Sequence, residues 1–316
     1  MSKTVRGRFA PSPSGRMHLG NVCCALLAYL AARSSGGEFI LRMEDLDTGR
    51  CHPPYDRWIL DDLAWLGLSW DEGPDCGGPC GPYTQSLCGE LYAEAIRRLS
   101  ERGLTYPCFC SRADLAAAQA PHLEDGTVRY DGRCSRLNEA ARRQLAEKKR
   151  PALRLRVGAA DVAFIDGLQG AQRSVLADSC GDFVLRRADG LAAYQLAVVV
   201  DDGRMGVTQV VRGRDLLAST ARQLYLYRLL GYEPPAFFHI PLLVAPDGRR
   251  LSKREHDLDM GALRARFRRP EPLLGRIACL CGLIERPEPI GMEELIGLFR
   301  WDRIPQGDII VNPERF

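Results

Sequence analysis

No stretch of this 316-residue chain approaches the roughly 20 consecutive apolar residues that a membrane-spanning helix needs. Its first residues also lack the charged-then-apolar pattern of a secretory signal, so a cytoplasmic protein is expected. Charge of one sign is scarce too: 43 Lys and Arg stand against 40 Asp and Glu, a formal net charge of +3. So small an excess rules out a global field as the means of holding nucleic acid, and any RNA contact has to come from local patches. Cysteine is plentiful, at 12 residues. In a reducing compartment these read as metal ligands or small buried hydrophobes rather than disulfides. With 46% hydrophobic and 26% charged residues the composition is that of a globular protein, long enough for two or three domains.

What the chain does have is concentrated near its start. Val5 to Ala10 reads as a short strand, Pro11-Ser12-Pro13-Ser14-Gly15 as a turn, and an apolar helix begins around His18-Leu19-Gly20-Asn21. Strand, tight loop and helix is the element that sets phosphates on helix N-terminal amides in open α/β folds. Gly15 and Gly20 let backbone come close to a ligand, and His18 supplies a donor there. Gly15 to Gly20 has the outline of a P-loop, but Asn21 stands where that loop needs Lys, which excludes a Walker motif.

Pro11 to Gly15 followed by His18-Leu19-Gly20 resembles the first signature of the class I aminoacyl-tRNA synthetases, in its glutamyl form. Arg250-Leu251-Ser252-Lys253-Arg254 is similar to that family's second signature, with Arg250 at a position that is usually Lys. The resemblance implies His18 and Lys253 as catalytic groups, and Gly15, His18, Gly20, Asn21, Ser252 and Lys253 around ATP. Attack of a carboxylate on the α-phosphate builds negative charge on phosphorus and on the departing pyrophosphate, and a lysine there stabilises it.

From Asn21 the helix runs to about Arg33, where Gly36-Gly37 closes it, and Glu38 to Met43 reads as a buried strand completing a βαβ unit. Glu44, Asp45 and Asp47 follow at its carboxyl end. A carboxylate there could hold an amino acid's ammonium, or the three could form a solvated acidic turn. Pro53 to Leu66 and Leu87 to Glu101 read as helices, separated by a Gly/Pro loop and Tyr83-Thr84-Gln85-Ser86, which is also similar to the glutamyl family. Farther on, Ala192 to Asp202 reads as a buried run behind the Tyr194 hydroxyl, ending in two carboxylates, and Val210 to Asp215 as a second strand ending in charge. A guanidinium such as Arg212 at a strand end suits a carboxylate, since its fork binds both oxygens. In the resemblance Glu44 takes the α-amino group of glutamate and Arg8 with Arg212 its side-chain carboxylate. Ala10, Ser12 and Tyr194 fall on further glutamate-binding positions.

Between these segments the texture changes. Cys108 and Cys110 are two apart and Cys134 follows 24 residues on, giving three corners of a tetrahedral zinc site. On residue chemistry the fourth corner is open between His122 and Tyr130. The Cys-x-Cys, Tyr-x-x-x-Cys pattern resembles the zinc site of one branch of the glutamyl family, which implies Tyr130. Cys76/Cys80 and Cys279/Cys281 lack a third ligand at zinc-finger spacing and read as unliganded. Residues 138–150 form a basic helix, either an RNA-facing surface or a solvated face.

The expected fold is α/β. A Rossmann-like doubly wound parallel sheet, the class I synthetase core, takes residues 1–100 and 191–258. An inserted zinc-containing α+β connecting domain takes 101–190, and a short helical segment ending in a polar tail at Val311 to Phe316 takes 259–316. The 63 residues after Lys253 fit little more than a linker, so no anticodon-binding domain is expected. Core, zinc pattern and short end together resemble the branch that joins glutamate to queuosine in the anticodon loop of tRNA(Asp). ATP with magnesium, L-glutamate, queuosine-bearing tRNA(Asp), one structural zinc and a monomer follow from that resemblance. The alternatives are a glutamyl-tRNA synthetase core that charges a tRNA 3′ end, and an inactive paralogue with a binding role.

Overall fold

The computed structural model describes residues 4–111, 114, 129–249 and 258–312. In chain order its strands are β1 (Arg6–Phe9), β2 (Glu38–Leu41), β3 (Thr105–Cys108), β4 (Ala152–Leu155), β5 (Asp161–Asp166), β6 (Gly170–Val175), β7 (Phe183–Arg186), β8 (Gln209–Gly213), β9 (Ala236–Ile240), β10 (Leu243–Val244) and β11 (Ile309–Ile310). Its α-helices are α1 (Leu19–Arg33), α2 (Tyr55–Trp65), α3 (Gly89–Glu101), α4 (Glu139–Lys148), α5 (Leu176–Ser179), α6 (Tyr194–Arg204), α7 (Leu217–Leu230), α8 (Met260–Phe267), α9 (Pro270–Leu280) and α10 (Met292–Leu298).

The central sheet is parallel, in the order β2–β1–β8–β9. The chain winds outward from its middle pair in both directions, β1 through α1 to β2 and β8 through α7 to β9. Right-handed crossovers then put α1 and α7 on opposite faces. The strands alternate accordingly. Phe39, Leu41 and Val211 join a core with α1, while Ile40, Val210 and Phe237 join a second core with α6 and α7. Helix α1 is apolar almost all round, with Leu19, Leu27 and Leu30 fully buried, because it lies between the sheet and α8–α10.

Within the run from Ala192 to Asp202 the chain is helical from Tyr194 onward, as α6, and not a strand. Val198, Val199 and Val200 have β-branched preferences, yet every residue from Leu196 to Asp202 is buried, packed against α7, so tertiary burial overrides propensity. The stretch from Phe237 to Val244 breaks into β9 and β10, with Pro241 between them. Near the chain's end β11 pairs in parallel with β10, and Val311, where the polar tail was expected to begin, is buried; residues 313–316 lie outside the described residues.

Between α3 and α6, β3–β4–β7 form an antiparallel sheet, and β5–β6 form a hairpin that is not part of it. This hairpin leans on the central sheet, where Gly167 donates its backbone N–H to Phe237. Among the described residues no helix is long and apolar enough to cross a membrane. The fold makes α1 the common wall of its larger core. Leu27→Ala should therefore cost about 2–5 kcal/mol of stability, read as a lowered urea midpoint with unchanged slope.

Candidate functional site

The carboxyl ends of β1 and β8 meet where the winding direction reverses, the place where open α/β sheets bind ligands. A cavity of about 360 Å³ opens there. Arg8, Ala10, Ser12, Glu44, Tyr194 and Arg212 line one part of it, and Gly15, His18, Gly20 and Asn21 another. Ser252 and Lys253 lie outside the described residues, as does His122.

At the α1 end, His18 is the helix N-cap. Its Nδ1 accepts the Gly20 backbone N–H at 3.0 Å, and the His18 N–H donates to Asn21 Oδ1 at 3.2 Å. An accepting Nδ1 leaves the proton of a neutral imidazole on Nε2, so the ring is a donor beside the positive end of α1. Gly20 has a different reason from the one its position in the motif suggested. A Cβ there would stand 2.8 Å from the His18 ring, so glycine makes room for the cap. Gly15, at φ +132, does adopt backbone that favours glycine.

At the other end three guanidinium groups converge. Arg212 is 4% exposed and donates to His239 Nε2 (2.9 Å), Gln223 Oε1 (2.8 Å), Thr220 Oγ1 (2.8 Å) and, at 3.4 Å, the Leu216 carbonyl. All four partners are neutral, and among the described residues no carboxylate bonds it. Burial, with Arg8 nearby, holds its pKa below the usual guanidinium value. Among the described residues Arg8 makes long contacts, 3.4 Å each to Asp202 and to the Val211 carbonyl. A buried cation without an anion is costly, and one facing a cavity is suited to an anionic ligand.

Arg42, fully buried, holds this part together. It reaches Asp202 at 2.6 Å and Glu44 at 3.0 Å. Burial opposes its charge, but Asp202, Glu44 and Asp201 outweigh that and raise its pKa. Glu44 itself is pushed up by burial, against the pull of Arg42 and Arg8. The three acidic residues after β2 separate cleanly. Glu44 faces the cavity, Asp45 takes the Ser86 N–H and hydroxyl, and Asp47 pairs with Arg50. Arg42, Asp202, His239, Gln223 and Thr220 were not singled out for the site from the sequence. Arg42 carried a usable signal, since two residues apart on a strand end puts it on Glu44's face.

A second cluster lies away from this cavity. The sulfurs of Cys108, Cys110 and Cys134 are all within 4.8 Å of one another, with Cys110 and Cys134 at 3.6 Å. The Tyr130 hydroxyl stands 3.6 Å from the Cys108 sulfur and 4.0 Å from that of Cys110. A tetrahedral zinc with bonds of about 2.3 Å keeps its sulfurs about 3.8 Å apart, so the donor set fits such an ion. Arg154 donates to the Cys108 sulfur at 3.2 Å and stacks on the Tyr130 ring at 3.8 Å. Burial opposes a Cys108 thiolate, but Arg154 with neighbouring hydrogen bonds lowers its pKa, whereas burial beside Cys108 pushes Cys110 up to about 12.

Comparison with known proteins accords with this geometry. The family model for tRNA synthetases class I (E and Q), catalytic domain, matches residues 4–308. The chain is 51% identical over 311 residues to a glutamyl-Q tRNA(Asp) synthetase of Symbiobacterium thermophilum, covering 98% of this chain and 96% of that one. It is 40% identical to glutamate–tRNA ligase 2 of Syntrophus aciditrophicus, covering 99% of this chain but 65% of that relative. Among solved structures, a glutamate tRNA ligase of Elizabethkingia meningosepticum in complex with its amino acid superposes with a TM-score of 0.86 at 30% identity. That match covers 99% of this chain and 68% of the ligase.

The buried network makes a direct prediction. Arg42→Met leaves Asp202 and Glu44 without their shared countercharge, and stability should fall by about 3–5 kcal/mol in urea denaturation. An unchanged midpoint would show that the network carries no such weight.

Proposed function

The chain belongs to the class I tRNA synthetases of the glutamate and glutamine group, and on that premise we propose that it activates L-glutamate with ATP and transfers the glutamyl group to queuosine in the anticodon loop of tRNA(Asp). The observation that carries the glutamate part is Arg212, a buried guanidinium whose partners among the described residues are neutral, facing a cavity that Glu44 lines as well. An amino acid with a second carboxylate supplies the missing anion and matches the carboxylate of Glu44 with its ammonium. The acceptor is argued from kinship. Identity is greater to the glutamyl-Q relative, and this chain spans nearly all of it.

In the first step an oxygen of the α-carboxylate attacks the α-phosphorus of ATP. The bond from that phosphorus to the bridging oxygen breaks, and pyrophosphate leaves. Arg8, Arg212 and Tyr194 hold the side-chain carboxylate, Glu44 the ammonium, and Ala10 with Ser12 the floor of the pocket. The Nε2–H of His18 and the amide end of α1 face the phosphates, where they favour charge that grows in the transition state. Gly15, Gly20 and Asn21 shape that end, and Lys253 with Ser252 acts on the same charge. Magnesium enters with ATP, held mostly by phosphate oxygens. In the second step a queuosine hydroxyl attacks the acyl carbon, the carbon–oxygen bond to AMP breaks, and the hydroxyl proton is released. The mixed anhydride is already reactive, so positioning does most of the work. Cys108, Cys110, Cys134 and Tyr130 would hold one zinc ion, which would cross-link the β3 end to residues 130–134. The reaction fits a cytoplasmic enzyme.

Glutamate-dependent exchange of labelled pyrophosphate into ATP should occur without tRNA. His18→Ala should slow it by about 10²–10³-fold. Labelled glutamate should appear in queuosine-containing tRNA(Asp), in the anticodon-loop fragment after nuclease digestion, and not in tRNA(Asp) lacking queuosine. Label on the 3′-terminal adenosine of tRNA(Glu) would overturn the acceptor assignment. Purified protein should hold about one zinc per chain by elemental analysis, and Cys134→Ser should abolish most of it.

A further inference from the structure

The residues behind Arg212 come from two parts of the chain that are far apart in sequence. His239, on β9, is fully buried. Its Nε2 stands 2.9 Å from Arg212 Nε and 3.2 Å from Thr220 Oγ1, and its Nδ1 stands 2.5 Å from Asp166 Oδ2. Asp166 ends β5, in the hairpin that leans on the central sheet. Its other oxygen, Oδ1, accepts the backbone N–H groups of Leu168 (3.1 Å), Gln169 (2.9 Å) and His239 (3.2 Å).

The proton positions follow from what each group can do. A guanidinium only donates, so Nε2 has to accept from Arg212. The ring proton therefore sits on Nδ1, where Asp166 accepts it. An imidazolium would aim a second N–H at the Arg212 Nε–H, and burial keeps the ring neutral in any case, with its pKa below the ordinary value. Asp166 in turn cannot rotate freely, since three backbone N–H groups hold Oδ1 and leave Oδ2 for the histidine.

We propose that Asp166 and His239 are a positioning pair for Arg212: the carboxylate fixes the imidazole tautomer, and the imidazole aims the guanidinium at the substrate's side-chain carboxylate. Neither touches substrate. The β5–β6 hairpin thereby contributes to amino-acid binding through one side chain, across the edge of the central sheet. This rests on the glutamate reading given above, and it names residues that set specificity for that same site.

The test is Asp166→Asn. The new Oδ1 keeps the three backbone N–H bonds, so the amide NH₂ faces Nδ1 and drives the ring proton to Nε2, where it opposes Arg212. The KM for glutamate in pyrophosphate exchange should rise about tenfold or more, with the KM for ATP within about twofold of wild type. Nitrogen-15 NMR of histidine-labelled protein should show the His239 proton moving from Nδ1 to Nε2. Equal rises in both KM values together with a lowered melting temperature would mean a structural role only, and would overturn the inference. So would an unshifted tautomer with an unchanged KM. If Asp166→Asn fails to fold, His239→Gln against His239→Leu decides, because glutamine keeps an acceptor near the Nε2 position. Glutamine should hold the KM for glutamate near wild type while leucine raises it, and equal loss in both would refute the pair. If wild-type enzyme gives no glutamate-dependent exchange, the functional reading fails, while the tautomer measurement still decides this inference.

Discussion

The site depends on a cluster of buried positive charge. Arg8, Arg42 and Arg212 are all 5% exposed or less and stand close together, against the carboxylates of Asp202 and Glu44. Asp201 lies 3.8 Å from Arg42 and is shared with Arg204, Gln85 and Tyr92. Asp202 bonds both Arg8 and Arg42, and Glu44 bonds Arg42, whereas Arg212 meets no carboxylate directly among the described residues. On the proposed reading, the side-chain carboxylate of glutamate supplies the anion that Arg212 does not meet among the described residues. A cavity tuned in this way discriminates by charge as well as by shape, since a neutral isostere would leave Arg212 with no anion.

The scaffold explains how such a cluster survives. Each cation is anchored from a different element: Arg8 from β1, Arg42 just beyond β2, and Arg212 from β8. Two well-packed cores on either face of the sheet fix those strands before any ligand arrives. Asp202 sits on α6 rather than on a strand, and that helix brings its carboxylate between Arg8 and Arg42.

Much of this was legible in the sequence, for physical reasons. Phosphate-type loops need backbone freedom and a helix start, so Gly15 and His18 stand out by spacing, while the reason for Gly20, room for the His18 cap, shows only in the fold. Strand ends of a parallel sheet face the crevice, so Glu44 and Arg212 could be placed from pattern and resemblance together. The helix of Tyr194 to Arg204 was not legible, because a run buried on all sides has no period to read. His239 and Asp166 were hidden for a different reason. Their meaning lies in a contact across 73 residues, and neither stands in a spacing that carries chemistry by itself. The cysteine cluster is intermediate: Cys108, Cys110 and Cys134 are visible as a spacing. Residue chemistry left the fourth corner open between His122 and Tyr130, and only the resemblance pointed to Tyr130, whose hydroxyl stands 3.6 Å from the Cys108 sulfur.

The histidine between Arg212 and Asp166 also explains why the charge of Arg212 is not simply cancelled. Had the aspartate met Arg212 directly, it would have aimed the guanidinium equally well. It would also have supplied the anion that the ligand has to bring, and glutamate would then compete with a resident carboxylate. Thr220 and Gln223 follow the same rule, since both accept from Arg212 and neither carries charge. A neutral imidazole accepts the hydrogen bond, and so fixes direction, while it keeps the carboxylate one ring away. On the proposed reading, orientation and neutralisation are thereby separated: the protein provides the first, and the substrate provides the second. That division lets a fully buried arginine wait in a single geometry for a carboxylate, without folding having already satisfied it.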